Sequence, residues 1–186
     1  MIYLWKIPDD YPEKLIGKYD RENSPDRFLY KKGESLSDDL KQPIFNFDVT
    51  CEELYQIDDL ANNALVPLVS ERLADVLQKA VPDDIQLIKA KVKTKDGELS
   101  GYSVLNVLNK VVGIDKKSSK YTLIPGTDKI MGFKYLKYND DCLDVYNVAR
   151  DEEYSSNLLI SEALSNKLIA MKLNQVGLYK PEDICW

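Results

Sequence analysis

Residues 70–108 read SERLADVLQKAVPDDIQLIKAKVKTKDGELSGYSVLNVL, a capped helix followed by a hairpin, and they decide the fold class. Ser70 carries the hydroxyl of a good N-cap and Glu71 sits at the positive end of the helix dipole. Leu73, Val76, Leu77 and Ala80 recur on one helical face. Pro82 cannot continue a helix, so the element ends there. Beyond it, Ile88, Ala90 and Val92 alternate with Lys89, Lys91 and Lys93, with Lys95 further on. This is the period of a half-buried strand carrying a lysine comb on its solvated face. Asp96-Gly97 supplies the backbone freedom of a tight turn, and Leu99 to Leu108 returns as the partner strand.

Outward from this stretch, a second copy of the same pattern lies near the C-terminus. LVSERLADVLQKAVPDDIQL aligns without a gap on LISEALSNKLIAMKLNQVGL when Ser70 is laid on Ser161. Val69 then meets Ile160, Leu73 meets Leu164, Leu77 meets Leu168, Ile85 meets Val176 and Leu87 meets Leu178. Each copy is a strand end, a Ser-Glu helix start, one helix and a following strand, a pattern that duplication or convergence on one local grammar would equally produce. The second helix is expected over Ser161 to Met171 with Leu164, Leu168 and Met171 buried, and Val176 to Tyr179 as a closing strand. Both Ser-Glu pairs read as caps rather than as nucleophile and base.

The rest of the chain is less regular. Ile2 to Trp5 is a short strand, and turn-formers dominate from Asp20 to Asp39, which predicts long connections as far as Asp48. Pro43 to Thr50 alternates so that Phe45, Phe47 and Val49 share the core face, and Thr50 with Glu53 forms a capping box for a short helical turn. Further strands are predicted over Tyr121 to Ile124, Lys129 to Tyr138 and Cys142 to Val148. Runs of strands broken by few helices point to an α+β fold, a mostly antiparallel sheet with two principal helices packed on it, in one domain spanning residues 1–186.

Composition removes whole classes of chemistry. The chain has 186 residues, 25 Lys and Arg against 31 Asp and Glu, and no His, so triads, Cys-His dyads and His-ligated metals are excluded. Cys51, Cys142 and Cys185 are too far apart for a C-x-x-C site and read as reduced cysteines. The Asp pairs at 9–10, 38–39, 58–59, 83–84 and 140–141 lack EF-hand spacing and read as loop punctuation, and Asp115 in GIDKKSS reads as a self-capping turn beside Ser118. No phosphate-cradling glycine loop occurs. No catalytic, cofactor-binding or metal residue is therefore assigned and no cofactor is expected. The N-terminal apolar run is too short for a signal peptide, no stretch is long enough for a membrane span, and Cys185 stands where no prenylation signal fits. The expected location is the cytoplasm. A net charge of −6 argues against non-specific binding of nucleic acid or anionic membrane and would suit a basic partner, while twelve tyrosines suit a protein interface.

Taken in order and spacing, Val69 to Leu73, Tyr102 to Asn106, Ile114-Asp115 with Ser118 or Ser119, the strands around Ile130 to Val148, and Ile160 to Leu164 with Gly177-Leu178 carry a family resemblance. The sequence resembles bacterial polymorphic-toxin immunity family eleven, with residues 65–184 as the family-like core and residues 1–64 matched loosely. The resemblance implies a small α+β protein that binds a cognate secreted toxin and neutralises it stoichiometrically, with no catalytic group. It carries over no partner-binding residue. Two other readings stand beside it: an enzyme with a carboxylate site assembled only in the fold, and an interaction module with no toxin partner.

Overall fold

The computed structural model describes residues 1–184; Cys185 and Trp186 lie outside the described residues, and the expectation for Cys185 with them. In chain order the elements are β1 (Ile2–Lys6), β2 (Lys18–Tyr19), β3 (Ile44–Asn46), α1 (Cys51–Leu54), β4 (Leu68–Ser70), α2 (Glu71–Ala80), β5 (Ile85–Lys89), β6 (Lys91–Lys93), β7 (Glu98–Leu99), β8 (Tyr102–Val107), β9 (Lys110–Val111), β10 (Lys120–Leu123), β11 (Ile130–Tyr135), β12 (Val148–Asp151), β13 (Leu158–Ser161), α3 (Glu162–Ala170) and β14 (Gly177–Tyr179). Pairings between these strands are antiparallel except β3 with β6 and β9 with β12, and α2 and α3 are the two principal helices, so the fold is α+β as expected. Among the described residues no helix is long and apolar enough to cross a membrane.

The two Ser-Glu copies fold alike. In the first, β4 and β5 flank β8; in the second, β13 and β14 flank β1. Each is a strand-helix-strand unit split by an antiparallel middle strand, and the registers correspond. Val69 faces Ser103 as Ile160 faces Tyr3, and Leu87 faces Leu105 as Leu178 faces Trp5. The middle strand of the second unit arrives from the opposite end of the chain. It approaches β14 so closely that a Cβ at Gly177 would run into the carbonyl oxygen of Lys6.

The units share one core. Val69, Leu73, Leu77, Ile85, Leu105 and Val107 of the first pack with Trp5, Leu158, Ile160, Leu164 and Leu168 of the second. Because strand side chains alternate, the opposite faces of these sheets supply two further cores. Leu68, Tyr102 and Val104 join Phe45, Phe47, Val49 and Leu54 on one side; Ile2, Leu4, Ala149 and Leu159 join Phe133, Leu136 and Tyr138 on the other. Strands covered on both faces explain why runs such as IYLW and NLLI show no polar alternation.

Several expectations are corrected. The strand predicted through Ile88, Ala90 and Val92 is two strands in different sheets, because Ala90 is where the hairpin passes from one sheet to the next. Lys89 faces Ser103 but Val92 faces Leu99, so the returning strand holds one extra residue, a bulge at Ser100-Gly101 where Gly101 takes a φ of +85°. The strand expected at Cys142 to Val148 is a series of turns, and β12 begins at Val148 instead, since its partners are Ile160 to Leu158. Met171 is 43% exposed rather than buried, because α3 ends at Ala170 and leaves it on the cap. The lysine comb does lie on a solvated face, where Lys91 pairs with Glu98 and Lys95 with Asp48, each at 3.1 Å.

Candidate functional site

A carboxylate pair sits where the two units meet. Asp58 and Asp59 are both buried, unlike the exposed pairs at 9–10, 38–39 and 140–141, so reading every pair as loop punctuation fails here. Asp58 accepts from the Ser70 hydroxyl at 2.6 Å, from the Arg72 guanidinium, and from the Asn174 N–H at 2.7 Å. Burial pushes its carboxyl pKa up, but Arg72, Ser70 and Asn174 outweigh that and hold it below the usual range. Asp59 accepts from the Trp5 indole N–H at 2.7 Å, and its other carboxylate oxygen has no partner. Burial raises it to about 7 against the opposing Trp5 hydrogen bond, with the charge of Asp58 adding to the rise. Asp84 likewise ties distant segments, accepting from Asn109 Nδ2 at 2.8 Å and from the Asn147 N–H at 2.9 Å. Nothing in the sequence marks these aspartates out, because their donors come from residues up to 116 positions away.

This hub is not arranged for acid-base work. Asp58 is saturated by an ion pair, and Asp59 is sealed beneath it without access to a reacting group. Among the described residues no three His, Cys, Asp or Glu side chains gather as a metal site. Cys142 is half-buried, and burial pushes its thiol up to about 11, away from a reactive thiolate.

Over the hub lies an open cleft of about 360 Å³ lined by Tyr55, Arg72, Gly101 and Asn174. A second hollow of about 520 Å³, lined by Cys51, Glu52 and Glu53, shares Tyr55 and Gln56 with it. Tyr55, which is 74% exposed, is a ridge between them, held up by the capping box of α1 in which the Thr50 N–H donates to Glu53 at 3.0 Å. Lys14 beside Glu53 helps to draw that carboxyl down to about 2.

The second prominent surface is the ribbon formed by β10 and β11. Its base is clamped. Ile114 bridges Tyr138, the Asp115 N–H donates to the Lys137 carbonyl at 2.9 Å, and Asp115 Oδ1 accepts the N–H groups of Lys117 and Ser118. The self-capping reading of Asp115 therefore holds. Ser119 closes the clamp, its hydroxyl donating to the Lys137 carbonyl and accepting the Lys137 N–H. The inner face sends Ile130 and Phe133 into the core, with Phe133 edge-on to Tyr121 and Tyr154. The outer face and tip leave Leu123 (45%), Ile124 (41%) and Met131 (58%) exposed.

The residues that carry the family resemblance do structural work around these surfaces. Ser70 and Ser161 accept from the N–H groups of Leu73 and Leu164, both at 3.2 Å. The Tyr102 hydroxyl holds the end of α1 through the carbonyls of Ile57 at 2.6 Å and Leu54 at 3.1 Å, and Asn106 holds the Glu34 carbonyl at 2.9 Å. A family comparison agrees with this pattern. The model of an immunity protein family (Imm11) matches residues 7–183. The chain belongs to this immunity protein family. The Imm11 match extends well below residue 65, over a part of the chain that Tyr102 and Asn106 of β8 hold through the Leu54 and Glu34 carbonyls. No curated protein matches the chain.

Proposed function

We propose that this protein is the immunity partner of a secreted bacterial toxin and neutralises it by stoichiometric binding in the cytoplasm, without catalysis. Membership of the immunity protein family over residues 7–183 carries this reading. The surfaces are consistent with it. Exposed Tyr55 and Arg72 and the apolar ribbon are of the kind that anchors protein interfaces, and the buried carboxylates are committed to holding the fold. A stable inhibitory complex needs about 800 Å² from each partner, an area that an exposed ribbon face or a ridged cleft presents more readily than a small enclosed cavity.

Co-expression is the test. On this reading a toxin domain is encoded beside this gene, and it is expected to arrest cells alone and to lose that effect when this protein is made with it. Equal killing with and without the protein overturns the reading.

A further inference from the structure

We propose that the β10–β11 ribbon is the arm that engages the toxin, and that it takes an acidic groove with an apolar floor on the toxin surface. The proposal rests on the immunity reading and adds to it a contact element and a partner chemistry. Its first support is charge. Residues 116–137 hold six lysines against one aspartate, five positive charges net, in a chain whose total is −6. All six lysines are exposed, and among the described residues Lys120, Lys129 and Lys134 make no ion pair. An acidic molecule that carries such a local excess of lysine on one exposed element has there a local field opposite to its net field. Such a field steers association with a negative surface.

The second support is apolar exposure at the same place. Leu123, Ile124 and Met131 cluster at the distal end of a two-stranded ribbon that no third strand joins among the described residues. Lysines along a free strand edge are an ordinary guard against aggregation, but that role does not call for exposed Leu, Ile and Met beside them. The third support is mechanical. Asp115, Ser119 and Phe133 fix the base, so the tip is presented with little ordering left to be lost on binding. A protein partner fits this tip better than a nucleic acid, because aliphatic side chains bury against an apolar floor and do not stack on bases, and the remainder of the chain repels a polyanion.

The toxin domain that the immunity reading places beside this gene, in an inactive form, is the probe, and its affinity is read by calorimetry at two salt concentrations. Wild-type protein is expected to bind, with affinity falling about tenfold between low and moderate salt. K120E/K129E/K134E and L123S/I124S/M131S are each expected to weaken binding about 100-fold while keeping the wild-type melting curve, because every substituted side chain is exposed. Y55A in the cleft is expected to stay within about threefold of wild type. Wild-type binding that both ribbon variants retain within twofold overturns the proposal and leaves the immunity reading intact. Loss with Y55A and none with the ribbon variants overturns it too, by moving the interface to the cleft. No binding by the wild type overturns the immunity reading itself, and binding to RNA or to anionic vesicles in its place overturns the proposal by giving the ribbon a different occupant.

Discussion

The two strand-helix-strand units start their helices with the same atoms and finish the job differently. Ser70 and Ser161 cap in the same way, yet the Ser70 hydroxyl donates to the buried carboxylate of Asp58 whereas the Ser161 hydroxyl donates to Asn147 Oδ1 at 2.9 Å, at an exposed position. Around Asp58 and its neighbour Asp59 gather Arg72, Trp5 and Asn174, two of them from the other unit; at Asn147 the charged group is Asp84, which accepts the backbone N–H and not the side chain that meets Ser161. Equal local instructions thus produced one cap whose hydroxyl meets a neutral amide and one whose hydroxyl meets a buried carboxylate in the joint between units. The difference lies in which distant residues arrive, not in the helix signal.

Four measurements break or sharpen that contrast. The largest effect is expected at equivalent middle-strand positions: Trp5→Ala should cost about 5 kcal/mol in chemical denaturation and Leu105→Ala about 3 kcal/mol, because the first also leaves the Asp59 carboxylate buried without its donor. Equal costs would mean that the joint contributes nothing beyond packing. Next comes pH. The folded protein holds the Asp59 proton up to about 7, whereas an unfolded aspartate releases it near 4, so this group stabilises the fold most at low pH and loses that contribution as pH rises from about 4 to about 7. The stability difference between wild type and Asp59→Asn should therefore move against wild type by up to about 1.4 kcal/mol per pH unit within that window, and a flat difference removes the assignment.

Third, Asp58→Ala should destabilise by about 3 kcal/mol, since Ser70, Arg72 and the Asn174 N–H all lose their acceptor, while Asn147→Ala should cost less than about 1 kcal/mol. The smallest effect is at the caps themselves. Ser161→Ala should cost about 1 kcal/mol and Ser70→Ala somewhat more; identical values would show that the link to Asp58 adds nothing to the cap.

How much of this was legible in the chain follows the range of each interaction. Both helix starts, the Pro82 stop, the Asp96-Gly97 turn and the core face of Phe45, Phe47 and Val49 depend on neighbours within a few residues, and all are found where the residue pattern placed them. The strand at Val148 to Asp151 was misplaced onto Cys142 to Val148 because neither segment alternates, and only pairing with β13 selects one of them. The ribbon was readable as a strand pair but not as an exposed apolar surface rimmed by lysines. Its signal, lysines interleaved with LIP and IM, has meaning only once the inner face is known to be covered and the outer face is not.

The sequence by itself determined the class of fold, the two caps, the central hairpin and the kinship with immunity proteins, since each depends on local periodicity, turn chemistry or the order of short motifs. The tertiary structure alone decided that β1 completes the C-terminal unit, that Asp58 and Asp59 become a buried joint while three similar pairs stay in water, and that positive charge and apolar surface meet at one exposed tip. Those outcomes depend on which remote donors and strands satisfy a given group, and a chain does not reveal that until it has closed on itself.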